Sequence, residues 1–208
     1  MALPTPASHP PPVGSPPLPV LPTIGLPAGA LGRLAPLLQQ GLRTRARDGA
    51  SISEFLVEEL GVDPGYVRSR ITTVFLDGSV VDDLDGAHLH EGSRLALSAA
   101  MPGLVGATLR KGGFYAAMRS DITLAAEAAE AADAVAGRSA VSVQVKLFNL
   151  LIEEIGPALL AHGVALAPAE AAALLGEAAA GLVAGLATGL PVGPAAGAAE
   201  VWLRAVAR

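Results

Sequence analysis

Leu31, Leu34, Leu37, Leu38 and Leu42 recur at helical spacing, and Pro36 places the start of that helix near itself. Residues 42–47 alternate with a period of two and fit a short strand as well. Ser51-Ile-Ser-Glu54 has the form of a capping box, with Ser51 as N-cap and Glu54 reaching back. Ile52, Phe55, Leu56 and Leu60 then lie on one helical face, and Gly61 stops the helix. Ile71-Thr-Thr-Val-Phe-Leu76 is β-branched and aromatic, as strands are. Asp77-Gly78 after it is a strong hairpin signal, with Val80-Val81 beginning the return. Arg94-Leu-Ala-Leu-Ser98 alternates and predicts a second ladder strand.

The pattern changes in the second half. From about residue 121 alanine, the best helix former, dominates. Glu127, Glu130 and Asp133 at spacing three read as a solvated helical face. Val141, Val145, Phe148, Ile152, Ile155 and Leu159 step by fours and threes, although Val141-Ser-Val-Gln-Val-Lys-Leu147 alternates like a strand. Length and continuity favour the helix. Gly156-Pro157 breaks it, and His162-Gly163 ends the next turn.

Composition sharpens this picture. The chain has 208 residues, 51% of them apolar, so it can build a core; 16% are charged and none is cysteine. Without cysteine there is no disulfide scaffold, cysteine-ligated zinc or iron–sulfur site, or thiol nucleophile. Ten of the 17 prolines fall within residues 1–27, which read as an extended, mostly disordered arm. Pro10, Pro11, Pro12, Pro16 and Pro17 could serve as a polyproline ligand, but a solvated tail is the simpler reading. The first basic residue is Arg33 and prolines interrupt everything before it, so no secretory signal is expected and a cytoplasmic protein is.

The net charge of −5 is unevenly placed. Residues 1–120 carry ten acidic and ten basic side chains, and residues 121–208 carry nine and four. The densest basic run, Arg43, Arg45 and Arg47, is short and lies beside Asp48, so nucleic acid is not an expected partner.

Candidate chemistry is sparse. His88 and His90 would face one side of a strand and, with Glu91 or Asp85, could hold a metal ion, but no third ligand is nominated by spacing. Surface histidines are the simpler reading, and no metal site or cofactor is assigned. Asp82, Asp83 and Asp85 lack the calcium-loop spacing. Arg110, Lys111, Gly112 and Gly113 could cradle an anion through backbone nitrogens and two cations. Serine and threonine have no evident histidine or acidic partner, so catalysis is not expected. Gly181, Gly185, Gly189, Gly193 and Gly197 at intervals of four would line a helix groove that another backbone can approach, with Gly181, Gly185 and Gly189 as the packing face. A membrane span over residues 171–190 is the competing reading, opposed by the weak transfer energy of Ala and Gly and by Pro191 and Pro194 beyond it.

In order along residues 41–113 come a period-two segment, Gly49-Ala-Ser-Ile-Ser-Glu-Phe-Leu56 opening a helix, Thr73-Val-Phe-Leu-Asp-Gly78, and Leu89-His-Glu-Gly-Ser-Arg-Leu-Ala-Leu97. This series resembles the β-grasp sulfur carriers, the small subunit of molybdopterin synthase and the thiamine sulfur carrier. Gly112-Gly113 sits about where those proteins end in a diglycine. Two departures stand out. The family's diglycine is a free C-terminus, whereas 95 residues follow Gly113 here, and proline fills the region where an opening strand belongs. Val143-Gln-Val-Lys-Leu-Phe148 with the apolar run after it resembles the family's opening strand and helix, which would make a rearranged β-grasp.

The sequence therefore predicts an α+β protein. A Pro-rich arm spans residues 1–27, a small β-grasp-like sheet with a capped helix spans 28–120, and an Ala/Gly-rich helical annex over 121–208 packs on it. The expected role is a non-catalytic binding or assembly module that engages a protein partner or a second copy of itself. Its alternatives are a sulfur-carrier-like protein cleaved after Gly113 and a membrane-associated subunit using residues 171–190.

Overall fold

A computed structural model describes residues 21–26, 30–99, 103–113, 139–175 and 200–207. In chain order these form β1 (Thr23–Leu26), α1 (Ala30–Gln40), β2 (Leu42–Arg47), β3 (Ala50–Ser51) and α2 (Ile52–Glu54), which runs into a π-helical turn, Phe55–Glu59. Then come α3 (Pro64–Ser69), β4 (Thr73–Leu76), β5 (Ser79–Val80), β6 (His88–Leu89), β7 (Arg94–Ser98) and α4 (Gly103–Leu109). After residue 139 follow β8 (Ala140–Phe148), α5 (Leu151–Glu154), α6 (Gly156–His162), β9 (Val164–Leu166), α7 (Pro168–Leu175) and β10 (Val201–Ala207). The fold is α+β.

Eight strands make one mixed sheet in the order β1-β10-β9-β2-β8-β7-β4-β5, and β3 pairs with β6 apart from it. Two pairs are parallel, β1 with β10 and β7 with β8; the others are antiparallel. Along β2 and β8 every second residue is buried. On the buried face, a Cβ built at Gly156 of α6 would lie 3.3 Å from Leu38 of α1 and 4.0 Å from Leu147 of β8. The helices α1, α5 and α6 therefore cover the side of the sheet that carries Val143, Val145 and Leu147, all within 1% of full burial.

The local signals of the first half are realised. Ser51 Oγ accepts the Glu54 N–H at 3.1 Å and Glu54 Oε2 accepts the Ser51 N–H at 2.8 Å, a closed capping box. Asp77 and Gly78 have φ of 52° and 91°, the left-handed pair that a tight hairpin between β4 and β5 needs.

Other expectations are corrected. Residues 141–148 are strand, not helix. Val141, Val143, Val145 and Leu147 all turn to the core while Phe148, the next step of the helical reading, is 37% exposed. Ladders on both sides of β8 select the period-two face. The region expected to be a helical annex contributes three strands, β8, β9 and β10, so the boundary near residue 120 does not divide the sheet. Residues 23–26 of the Pro-rich arm are also ordered as a strand: between Pro22 and Pro27, four residues pair in parallel with β10. Finally, α1 starts at Ala30, ahead of Pro36. Pro36 gives up one helical hydrogen bond there, and fully buried Leu34 and Leu38 on the same helix offset it.

Candidate interaction surface

The buried face of the sheet follows from alternation, and so does the other face. Register places Trp202, Ala165, Arg43, Gln144 and Arg94 in one row across β10, β9, β2, β8 and β7. Arg45 and Ser142 form the next pair along β2 and β8, and Lys146 and Ala96 lie opposite each other on β8 and β7. Arg204 follows Trp202 by two residues and shares its face. Six basic side chains, Arg43, Arg45, Arg47, Arg94, Lys146 and Arg204, thus come from four strands onto one surface.

These cations are held in different ways. Arg43 forms an ion pair with Glu200. Arg94 lies 3.8 Å from Asp77, at the hairpin turn. Arg47, at the end of β2, reaches Glu58 at 2.7 Å and Glu59 at 3.2 Å, and the hydrogen bond to Glu58 raises its pKa. Arg45 instead lays its guanidinium over the Trp202 ring, 4.8 Å from the centroid, and burial lowers its pKa. Gly163, beside β9, makes room at this corner. A Cβ there would sit 2.6 Å from Leu21 and 3.7 Å from the Arg204 side chain.

A second feature is a cleft of about 380 Å³ between the β4–β5 turn and the loop after β6, lined by Asp77, His88, His90, Glu91 and their neighbours. Its polar groups are engaged by the chain itself. His88 Nδ1 is 3.2 Å from the Gly49 carbonyl and His90 Nδ1 is 3.1 Å from Asp48 Oδ1. Asp77 accepts the Arg94 N–H at 2.8 Å, and Glu91 accepts the Ser142 N–H at 2.7 Å. Among the described residues no three histidine or acidic side chains are placed to hold a metal ion.

The stretch from Arg110 to Gly113 follows α4. The Gly112 N–H donates to Asp82 Oδ1 at 3.1 Å, and the Lys111 N–H to the Thr72 carbonyl at 2.7 Å. Burial lowers the pKa of Lys111, while Asp82 and Asp85 act in the opposite direction. The anion that this loop meets is the chain's own carboxylate. Gly181, Gly185 and Gly189 lie outside the described residues.

One charged cluster fastens the two halves of the chain. Glu154 of α5 accepts Arg70 Nη2 at 2.6 Å and Nε at 3.0 Å, and Tyr66 of α3 donates its hydroxyl at 2.5 Å. Arg70 first and Tyr66 second bring the Glu154 carboxyl from 4.5 down to about 2; burial and the neighbouring carboxylate push the Tyr66 phenol up. Because the folded pKa is the lower one, this stabilisation is present above the unfolded carboxylate range and fades as pH falls toward 2. Glu154→Gln should lower the melting temperature at neutral pH. The gap from wild type should close as both proteins are melted at decreasing pH, and a gap that stays constant to pH 2 would contradict this assignment.

The sequence singled out Arg43, Arg45 and Arg47 as a short basic run but not Arg94, Lys146, Trp202 or Arg204. The alternation in Val201-Trp-Leu-Arg-Ala205 was the available signal. Comparison of the chain with protein-family models, curated proteins and solved structures gives no significant match.

Proposed function

We propose that this protein is a non-catalytic binding or assembly module, and that it binds through the polar face of its sheet. The observation that carries this reading is the collection of six basic side chains on that face. The sheet edges offer less: β5 has two residues, and β1 has four, bracketed by Pro22 and Pro27. The histidines and carboxylates of the cleft are held by partners within the chain, which suits a structural role better than proton transfer. A cytoplasmic setting belongs to the same proposal.

We also read β2-β8-β7-β4-β5 as a rearranged β-grasp. In support, β8 is antiparallel to β2 and parallel to β7, and a helical segment follows it, as an opening strand of such a sheet would require. This reading disfavours the sulfur-carrier alternative, because a cut after Gly113 separates β8 covalently from the strands on either side of it. As for a membrane role, no helix among the described residues is long and apolar enough to cross a bilayer; residues 171–175 belong to α7, and 176–190 lie outside the description.

The test is comparative affinity capture from the native host with wild type and an Arg94→Glu, Lys146→Glu variant of equal melting temperature. A partner retained by wild type and lost by the variant is the expected result. Identical captured sets would contradict binding through this face.

A further inference from the structure

At one corner of the polar face, Arg43, Arg45 and Arg204 surround Trp202 on β2 and β10. Glu200 neutralises Arg43, so the corner carries a net charge of two. Among the described residues Arg45 has no carboxylate partner; its cation rests on an indole in a half-buried position. Arg204, exposed and two residues from Trp202, likewise has none among the described residues. Removing a guanidinium from water without an anion is unfavourable, and an incoming carboxylate would form a charge-assisted, bidentate pair with each.

From this geometry we infer that the Arg45–Trp202–Arg204 corner is a docking site for an acidic protein segment, an inference that rests on the reading of the sheet face as a binding surface. Charge complementarity names the occupant, and the small extent of the site selects among anions. The three arginines span strands β2 to β10, two strand spacings or about 10 Å. Nucleic acid is held by a longer track of cations that displaces counterions from successive phosphates. Here an acid, Glu200, lies inside the patch. Two or three carboxylates on one peptide match it better.

The experiment uses the full chain and fluorescence anisotropy, with a fluorescein-labelled peptide of alternating Glu and Ala as probe and labelled oligothymidylate as comparison. The peptide should bind at low salt and weaken as salt approaches about 150 mM, where screening sets in within ~8 Å. Arg45→Gln with Arg204→Glu should weaken peptide binding about tenfold or more. Arg33→Glu with Arg68→Gln, which changes net charge equally from exposed sites elsewhere, should leave it unchanged. Arg204→Glu alone, at an exposed position, keeps the test readable where Arg45→Gln melts early, and should weaken binding about threefold.

No peptide binding, or equal binding by wild type and both Arg204 variants, overturns the inference. Oligothymidylate bound more tightly than peptide and lost in the same variants also overturns it, while leaving the face a binding surface. A wild-type dimer in sedimentation that these variants dissociate, without peptide binding, assigns the corner to a second copy instead and overturns it too.

Discussion

A chain that stops at Gly113 will not fold. The strand it lacks, β8, is the one that joins the two halves of the sheet. β2 pairs with it over six residues and β7 over five, and neither has the other as a neighbour. Val141, Val143, Val145 and Leu147 leave with it, each at most 8% exposed, and α5 and α6 leave as well. Burying an aliphatic side chain contributes ~1.5–3 kcal/mol, so those four alone amount to about 6–12 kcal/mol. A domain of ordinary stability has only ~5–15 kcal/mol in total. The shortened chain should show a coil-like circular dichroism spectrum, no cooperative melt and narrow amide dispersion. A dispersed spectrum with a cooperative transition would show that residues 28–113 close by themselves, and would revive the cleaved-carrier alternative.

Phe55→Ala is expected to be the most damaging single substitution in the first half. Phe55 is fully buried in the π-helical turn after the capped helix. Its ring meets His162, at the end of α6, edge to face with centroids 6.2 Å apart. His162 Nε2 in turn lies 3.0 Å from the Arg45 carbonyl of β2. Truncation leaves a cavity between segments that are more than one hundred residues apart in sequence, and such cavities collapse incompletely. The expected cost is about 3–5 kcal/mol in urea denaturation at neutral pH. A loss below ~1 kcal/mol would mean that Phe55 packs only within its own helix.

The capping box at Ser51 and Glu54, the Asp77-Gly78 turn and β7 could be read in the sequence because each is set by residues within a few positions. β8 could not, because its apolar residues satisfy two periods at once. Val141 and Val145 are four apart and also both even steps along a strand, and the apolar run continues without pause into α5. Its ladders decide the matter, and their strands begin 98 and 46 residues earlier, at Leu42 and Arg94 against Ala140. β10 was hidden by composition, since alanine beside Val201, Leu203 and Val206 reads as helix until β9 and β1 supply partners.

The basic face was illegible for another reason. Arg43, Arg45 and Arg47 make one short basic run, but Arg94, Lys146 and Arg204 are spread over the rest of an acidic chain, so no window of sequence shows the whole patch. Registers across five strands create the patch. Local runs of charge predict no nucleic-acid partner, and a surface assembled from distant strands is invisible to them. The loop from Arg110 to Gly113 shows the converse: it resembled an anion cradle, yet Asp82 already accepts the Gly112 N–H.

Native-state hydrogen exchange reads directly whether one cooperative sheet runs through both halves of the chain. The amides of residues 143–147 on β8 and 95–97 on β7 should exchange with the same opening free energy, near that of global unfolding. Exchange of residues 143–147 at free-peptide rates, or at a much lower opening free energy than residues 95–97, would contradict a single cooperative sheet.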